Sequence, residues 1–85
     1  MYRSKGKITS LCPLSFVGSG KEVEVCEIRS GIGLCKRLAH MGIYPGTHLS
    51  VIGNGKPGPV IVVIGEKRIG LGFGVCTKII VKALS

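Results

Sequence analysis

Short apolar stretches separated by glycine-rich breaks run through most of the chain, a pattern typical of small β proteins. Residues 21–29 alternate, so that Val23 and Val25 fall on one face of a strand. Ile28 is apolar one position out of step with them, which predicts a β-bulge or a sharp bend near Cys26. The first predicted strand therefore changes its inward face part-way along.

The second half of the chain predicts further strands and the turns between them. The predicted segments are residues 47–52, 60–64, 69–74 and 77–84. Leu49 and Val51 form the buried face of the first of these, and the apolar run 60–64 is expected to be covered on both faces. Residues 65–67 suit a tight hairpin turn, and the breaker-rich stretch 53–59 suits an exposed loop. About five strands that close on themselves predict a mainly β, small SH3-like barrel.

A single short α-helix is predicted between residues 34 and 41. The apolar positions that recur at helical spacing are Leu34, Leu38 and Met41. The opposite face carries Lys36, Arg37 and His40. Because a helix this short is stable only when docked, its apolar face is expected to pack on the barrel and its basic face to be exposed.

A glycine stop and a turn follow the predicted helix. Gly42 suits the left-handed residue that ends many helices, after which Ile43 can fold back onto the helix. Pro45 has a fixed φ and Gly46 tolerates a positive φ, which favours a turn into the next strand. The segment from Arg37 to Gly46 thus predicts a helix, its end and a reversal of the chain.

Length and charge add limits to this picture. With 85 residues the chain is expected to form one domain, residues 10–85, after a flexible basic tail at residues 1–9. Twelve lysines and arginines against four glutamates give a formal net charge of +8, which favours acidic partners, nucleic acid or an anionic membrane surface. The longest aliphatic run is far shorter than the roughly 20 residues of a membrane span. Without an export signal, we expect a cytoplasmic protein.

Cysteines and histidines are the candidate metal ligands. Cys12, Cys26, Cys35 and Cys76 lack the tight spacing of a zinc site and are expected to be free thiols. The last three are interpreted as small buried hydrophobic residues. His40 and His48 are the first candidates for a transition metal such as Fe²⁺ or Zn²⁺, although the net positive charge opposes cation binding. No metal site is assigned.

Catalytic chemistry has little support in the sequence. There is no aspartate, and no serine or cysteine stands at a recognisable spacing from a histidine. The glycine-rich stretch 70–74 is neither a phosphate-binding loop nor a dinucleotide fingerprint. We therefore expect a protein that is not an enzyme.

The order of the segments and a set of short motifs resemble one protein family. The motifs are Pro13-Leu14 with Gly20, Val25 and Ile28, Arg37-Leu38, Met41-Gly42-Ile43, Pro45-Gly46, Gly58-Pro59 before Val60, and Leu71, Ile79 and Val81. Together they resemble the ferrous iron transport protein A family, the FeoA domain. Two departures stand out: Cys76 replaces the alanine usual in the family, and Gly70 with Gly72 to Gly74 replaces a more polar turn.

The resemblance implies a fold, a role and a partner. It implies an SH3-like barrel similar to the C-terminal domain of iron-dependent repressors, with Leu38, Met41, Gly42, Pro45 and Gly46 as the fold signature. It also implies a small accessory or regulatory protein of ferrous iron uptake. The implied partner is ferrous iron transport protein B, the membrane permease with a GTP-binding domain, and the candidate binding residues are Lys36, Arg37, His40 and Tyr44.

Two other functions stay open at this point. The charge also suits a small barrel that binds nucleic acid, but two tyrosines, two phenylalanines and no tryptophan are few for base stacking, so nucleic acid is not the expected partner. A weak transition-metal-binding module would use His40 or His48.

Overall fold

The computed structural model describes residues 11–54 and 58–84, which form one six-stranded antiparallel sheet around a single core. The strands are β1 (Leu11–Pro13), β2 (Glu22–Ile28), β3 (His48–Asn54), β4 (Val60–Ile64), β5 (Lys67–Leu71) and β6 (Ile79–Ala83). Their order across the sheet is β1-β6-β2-β3-β4-β5. A 3-10 turn at Leu14–Phe16 and two helices, α1 (Ile32–His40) and α2 (Phe73–Cys76), lie between strands. The mainly β prediction is confirmed, and the predicted tail at residues 1–9 lies outside the described residues.

The core is built from alternate residues of the strands. On β2, Val23 and Val25 are buried as predicted, and so are Leu49 and Val51 on β3. Each such side chain contributes roughly 1.5–3 kcal/mol of transfer free energy on burial. The expectation for residues 60–64 is wrong in part, because only Val60 and Val62 of β4 are fully buried and the other three residues remain half-buried. Hydrophobic alternation therefore locates the inner face of the sheet.

A β-bulge interrupts the pairing of β2 with β6. Val25 pairs with Val81, but the next partner of Ile80 is Glu27, so Cys26 is the extra residue. This is where the hydrophobic pattern changes phase, and the prediction of a bulge near Cys26 is confirmed. The bulge brings Ile28 against the core without moving Val23 and Val25 out of it.

Two elements were not expected from the sequence. β1 is a three-residue edge strand paired with β6, and its end at Pro13 is tolerated because an edge strand needs no donor on its outer side. The segment 69–74 is not one strand, since β5 ends at Leu71 and α2 begins at Phe73. Where about five strands and one short helix were predicted, the described residues form six strands and two α-helices. In both places contacts with distant segments determine the secondary structure. β1 forms by pairing with β6, and α2 forms where Cys76 packs into the core.

Some predicted boundaries also shift. Helix α1 begins at Ile32, two residues before the predicted start, and the closing strand is limited to Ile79–Ala83. The predicted exposed loop 53–59 begins too early, because Gly53 and Asn54 belong to β3. The Asn54 side-chain amide donates hydrogen bonds to the carbonyl oxygens of Ser15 (3.1 Å) and Val17 (2.8 Å), which ties the end of β3 to the 3-10 turn.

The end of α1 is a Schellman motif, in which two N–H groups beyond the helix bond back to its last carbonyls. Gly42 has a φ of 88°, and its N–H donates to the Ala39 carbonyl at 2.9 Å. The N–H of Ile43 donates to the Leu38 carbonyl at 2.8 Å. The side chains of Leu38 and Ile43 are both fully buried. The predicted glycine stop and the return of Ile43 onto the helix are confirmed.

The reversal is completed by a type II turn over residues 44–47. Pro45 occupies its second position, Gly46 has a φ of 99° at the third, and the Thr47 N–H donates to the Tyr44 carbonyl at 3.0 Å. The Thr47 hydroxyl also donates to the Gly42 carbonyl and accepts from the Tyr44 N–H, both at 3.2 Å. The predicted Pro-Gly turn is confirmed, and it leads directly into β3.

Replacing Gly42 with alanine is expected to lower the free energy of unfolding by about 1–2 kcal/mol, since an L side chain at this positive φ is strained. A Cβ at Gly42 meets no atom within 4 Å, so the cost is in the backbone alone. Urea unfolding followed by circular dichroism measures it.

The matched control is Gly33→Ala, at a helical position of α1 where a Cβ also meets nothing within 4 Å. This change is expected to raise stability by up to about 1 kcal/mol, because alanine favours the helix. Equal effects at the two glycines would contradict the assignment of Gly42 as the left-handed helix stop.

Cys76 gives the core a pH dependence. Its side chain is fully buried, and desolvation raises the pKa of its thiol from 9.0 to about 11. The folded state thus favours the neutral thiol, so this stabilisation is present below pH 9 and is lost as the pH rises from 9 to 11. Unfolding free energies measured from pH 8 to 11 are expected to fall more for the native protein than for Cys76→Ala, by on the order of 2 kcal/mol. All other titratable groups are common to the two proteins, so parallel curves would contradict this prediction.

Candidate functional site

The exposed face of α1 carries the cations that the sequence singles out. Lys36, Arg37 and His40 are all exposed, while Leu38 on the opposite face is fully buried. Within residues 11–54 and 58–84, no acidic side chain forms a salt bridge with any of the three. Ile32, at the start of the helix, is also 75% exposed. The face combines unpaired positive charge with an apolar side chain.

A groove of about 460 Å³ runs beside this face, between β2, α1 and the turn after the helix. Its lining residues are Cys26, Glu27 and Ile28 from β2, Cys35, Lys36 and Ala39 from α1, and Tyr44 and Pro45 from the turn. The bulge supplies the strand wall. Cys35 and Ala39, one helical turn apart, supply the helix wall next to Lys36.

The turn after α1 forms the third wall of the groove and is held in place by the sheet. The Gly46 N–H donates to the Val25 carbonyl at 2.8 Å, and the Val25 N–H donates to the Thr47 carbonyl at 2.8 Å. These two bonds attach the type II turn to β2 immediately before the bulge. Tyr44 is therefore fixed at the groove by its backbone, although its side chain is 53% exposed.

Charges at the groove are of both signs. Lys36 lies on the helix side, and Glu27 lies on the strand side, where it forms a salt bridge with Arg29 at 3.5 Å. Both members of that pair are largely exposed, so the bridge itself adds little stability. It does offset the negative charge of Glu27, which leaves Lys36 as the uncompensated charge of the groove.

The predicted partner-binding residues occupy two adjoining surfaces. Lys36 and Tyr44 line the groove, whereas Arg37 and His40 are exposed on α1 outside it. The fold-signature residues behave differently: Leu38 is buried, Met41 packs against the core, and Gly42 and Gly46 have positive φ. Pro45, the remaining signature residue, both shapes the turn and lines the groove beside Tyr44.

His48, the second histidine candidate for a metal, lies on the outer face of the sheet. Its Nε2 is 3.5 Å from Glu24 Oε1, and the Lys82 ammonium lies 3.8 Å from the same oxygen. It is not among the residues of the groove. In the part of the chain that the structure describes, no group of three or more His, Cys, Asp or Glu side chains is placed to hold a metal ion.

The sequence did not indicate that the half-buried thiols of Cys26 and Cys35 belong to this site. All four cysteines are free, as expected, but only Cys76 is fully buried. The expectation that Cys26 and Cys35 are buried hydrophobic residues is wrong, because one is the bulged residue of β2 and the other faces the groove from α1. The predicted bulge, together with the four-residue spacing of Cys35 and Ala39, was the available signal for this wall of the site.

Proteins of known structure share this fold. The chain is similar to the crystal structure of an iron uptake regulatory protein, FeoA, with 31% sequence identity and a TM-score of 0.81 over 88% of this chain and 99% of that one. It is also similar to the solution structure of iron(II) transport protein A from Clostridium thermocellum, with 22% identity and a TM-score of 0.78 over 85% of this chain and 45% of that one.

A further likeness extends to a different class of protein. A manganese-dependent transcriptional repressor shares 21% identity and a TM-score of 0.80, over 92% of this chain and 44% of the repressor. At this level of identity the likeness shows the fold alone. No curated protein sequence matches the chain. Within residues 11–54 and 58–84, neither helix has the length and apolar character needed to cross a membrane.

These findings confirm both the predicted family and its SH3-like fold. The match to the family model extends from residue 12 to residue 83 and so includes all of the sheet except Leu11, together with the groove and the helix-turn segment. The chain belongs to the FeoA domain family.

Proposed function

We propose that the protein is a small accessory protein of ferrous iron uptake that binds ferrous iron transport protein B, the membrane permease with a cytoplasmic GTP-binding domain. Membership of the FeoA family supports a role in ferrous iron transport. The family and this fold are generally non-enzymatic, which favours a role in binding rather than catalysis. Binding to the cytoplasmic GTP-binding domain of the permease would place the protein in the cytoplasm.

The unpaired basic face of α1 is the observation that carries this proposal. Lys36 and Arg37 are exposed on a helix whose position is fixed by the burial of Leu38. The backbone that carries these cations is already ordered when a partner binds, so the entropic cost of association is limited to their side chains. They also accelerate the encounter with an acidic surface.

The adjoining groove gives the basic face an apolar neighbour. Ile28, Ala39, Tyr44 and Pro45 line it, and a partially exposed tyrosine is a side chain often found at the centre of protein interfaces. A partner that covers both surfaces would bury apolar area in the groove and pair its carboxylates with the helix. The proposal assigns no metal or other cofactor to this contact.

Reversing the charge of the helix tests the proposal. The Lys36→Glu/Arg37→Glu variant is expected to bind purified full-length ferrous iron transport protein B in lipid nanodiscs at least about tenfold more weakly than the native protein, because two attractive contacts become repulsive. Biolayer interferometry at two salt concentrations measures the affinity, and circular dichroism checks that the variant is folded.

The matched control reverses an equal charge at a different place. Lys67 and Arg68 are exposed on β5, which is at one end of the sheet and supplies no residue to the groove. Lys67→Glu/Arg68→Glu is expected to bind like the native protein. If the two double variants lose affinity equally, net charge and not the helix face governs binding. If the native protein fails to bind the folded permease, the partner itself is wrong.

A further inference from the structure

Two of the four thiols open into the same groove, and this feature has no part in the proposed docking. Cys26 comes from the β2 bulge and Cys35 from α1, and both are half-buried free thiols. Cys12 is also half-buried but lies on β1, where it packs against the core, and Cys76 is fully buried. The chain therefore carries two thiols within the groove, one half-buried thiol outside it and one protected thiol.

The two groove thiols differ in their surroundings. Cys35 is followed on α1 by Lys36, which lines the same groove, and its Sγ is 3.8 Å from the Ser30 carbonyl oxygen. The Sγ of Cys26 is 3.7 Å from the Glu24 carbonyl oxygen, and the neighbouring groove residue is Glu27. The cation beside Cys35 attracts an anionic reactant. Cys26 gains no such attraction, because the charge of the neighbouring Glu27 is offset by its salt bridge with Arg29.

The groove also has the size and lining of a small-molecule site. Its volume of about 460 Å³ falls within the range of about 300–1,000 Å³ that is usual for such sites. Ile28, Ala39, Tyr44 and Pro45 give it apolar walls, and Lys36 supplies a cation on one side. A molecule with an apolar or sulfur-containing centre and an anionic end that reaches Lys36 matches this arrangement.

We propose that the groove is a site of thiol–disulfide exchange with anionic low-molecular-weight disulfides, of which oxidised glutathione is the example, and that Cys35 is the principal acceptor. The Cys35 thiol loses its proton to solvent, and the resulting thiolate attacks one sulfur of the disulfide. A new S–S bond forms to Cys35 as the original S–S bond breaks. The other half leaves as a thiolate, which takes up a proton, so Cys35 is oxidised and the departing sulfur is reduced.

The bound group would change what the surface offers to a partner. A glutathionyl group on Cys35 fills the groove beside Lys36 and Tyr44, and its carboxylates neutralise the cation. This consequence rests on the proposed function, since it matters only if a partner docks there. The exchange itself is independent of any partner and is tested without the permease.

The test follows the full-length protein during incubation with oxidised glutathione at pH 8, using intact mass and peptide mapping. We expect one glutathionyl group on Cys35 before any on Cys12 or Cys26, and none on Cys76, whose protection reports that the protein is folded. Cys35→Ser should abolish this first adduct, whereas Cys12→Ser should leave its rate unchanged. Preferential labelling of Cys12, or formation of a Cys26–Cys35 disulfide without an adduct, would overturn the proposal.

The role of Lys36 is tested by the charge of the reactant. Lys36→Glu is expected to slow the reaction with oxidised glutathione by roughly three- to tenfold. The reaction with the uncharged bis(2-hydroxyethyl) disulfide is expected to slow less, because the lost cation then affects only the Cys35 thiolate and not the approach of the reactant. Lys67→Glu, an equal charge change on β5, should alter neither rate. Equal slowing by both lysine variants, or equal slowing with both disulfides, would show that the groove does not select the anion.

Discussion

The backbone carbonyl of Leu38 is the point on which the helix and the groove depend. It accepts hydrogen bonds from the N–H groups of Met41, at 2.9 Å, and Ile43, at 2.8 Å, while the Leu38 side chain is fully buried. One residue thus anchors the helix in the core and turns the chain back towards it. The left-handed φ of Gly42 is the condition for this geometry, because Ile43 could not otherwise reach both the carbonyl and the core.

From this anchor the positions of the exposed groups follow. The type II turn after Ile43 is hydrogen-bonded to Val25, and the bulge at Cys26 begins at the next residue of β2. The strand wall and the turn wall of the groove are therefore parts of one hydrogen-bonded unit. The helix wall joins them through Leu38. A surface assembled in this way is organised before a partner or ligand arrives, which reduces the cost of binding.

Much of this region could be predicted from the sequence because its determinants are local. Gly42, Pro45 and Gly46 have backbone preferences that act whatever surrounds them, and the phase change after Val25 signals the bulge. The family motifs lie on the same residues, which is why the fold and the family were both predicted correctly. The start of α1 was predicted two residues too late, because Ile32 lies outside the apolar stripe of Leu34, Leu38 and Met41 and is exposed.

The remaining features depend on contacts between distant segments. β1 exists because β6 pairs with it, and α2 forms where Cys76 enters the core, although the glycines around Phe73 imitate a strand pattern. The site also depends on contacts between distant segments, because Cys26 and Cys35 share a groove only when the turn is attached to β2.

From the sequence, Cys26, Cys35 and Cys76 are all interpreted as small buried hydrophobic residues, and it is their position in the fold that makes them different. Cys76 is removed from water, and the raised pKa of its thiol makes it a poor nucleophile at neutral pH. Cys35 has the same chemistry but lies half-buried beside Lys36. The residues that identify the family thus fix a scaffold, while residues outside its motifs, Lys36 and Cys35 among them, give this chain's groove its own chemistry.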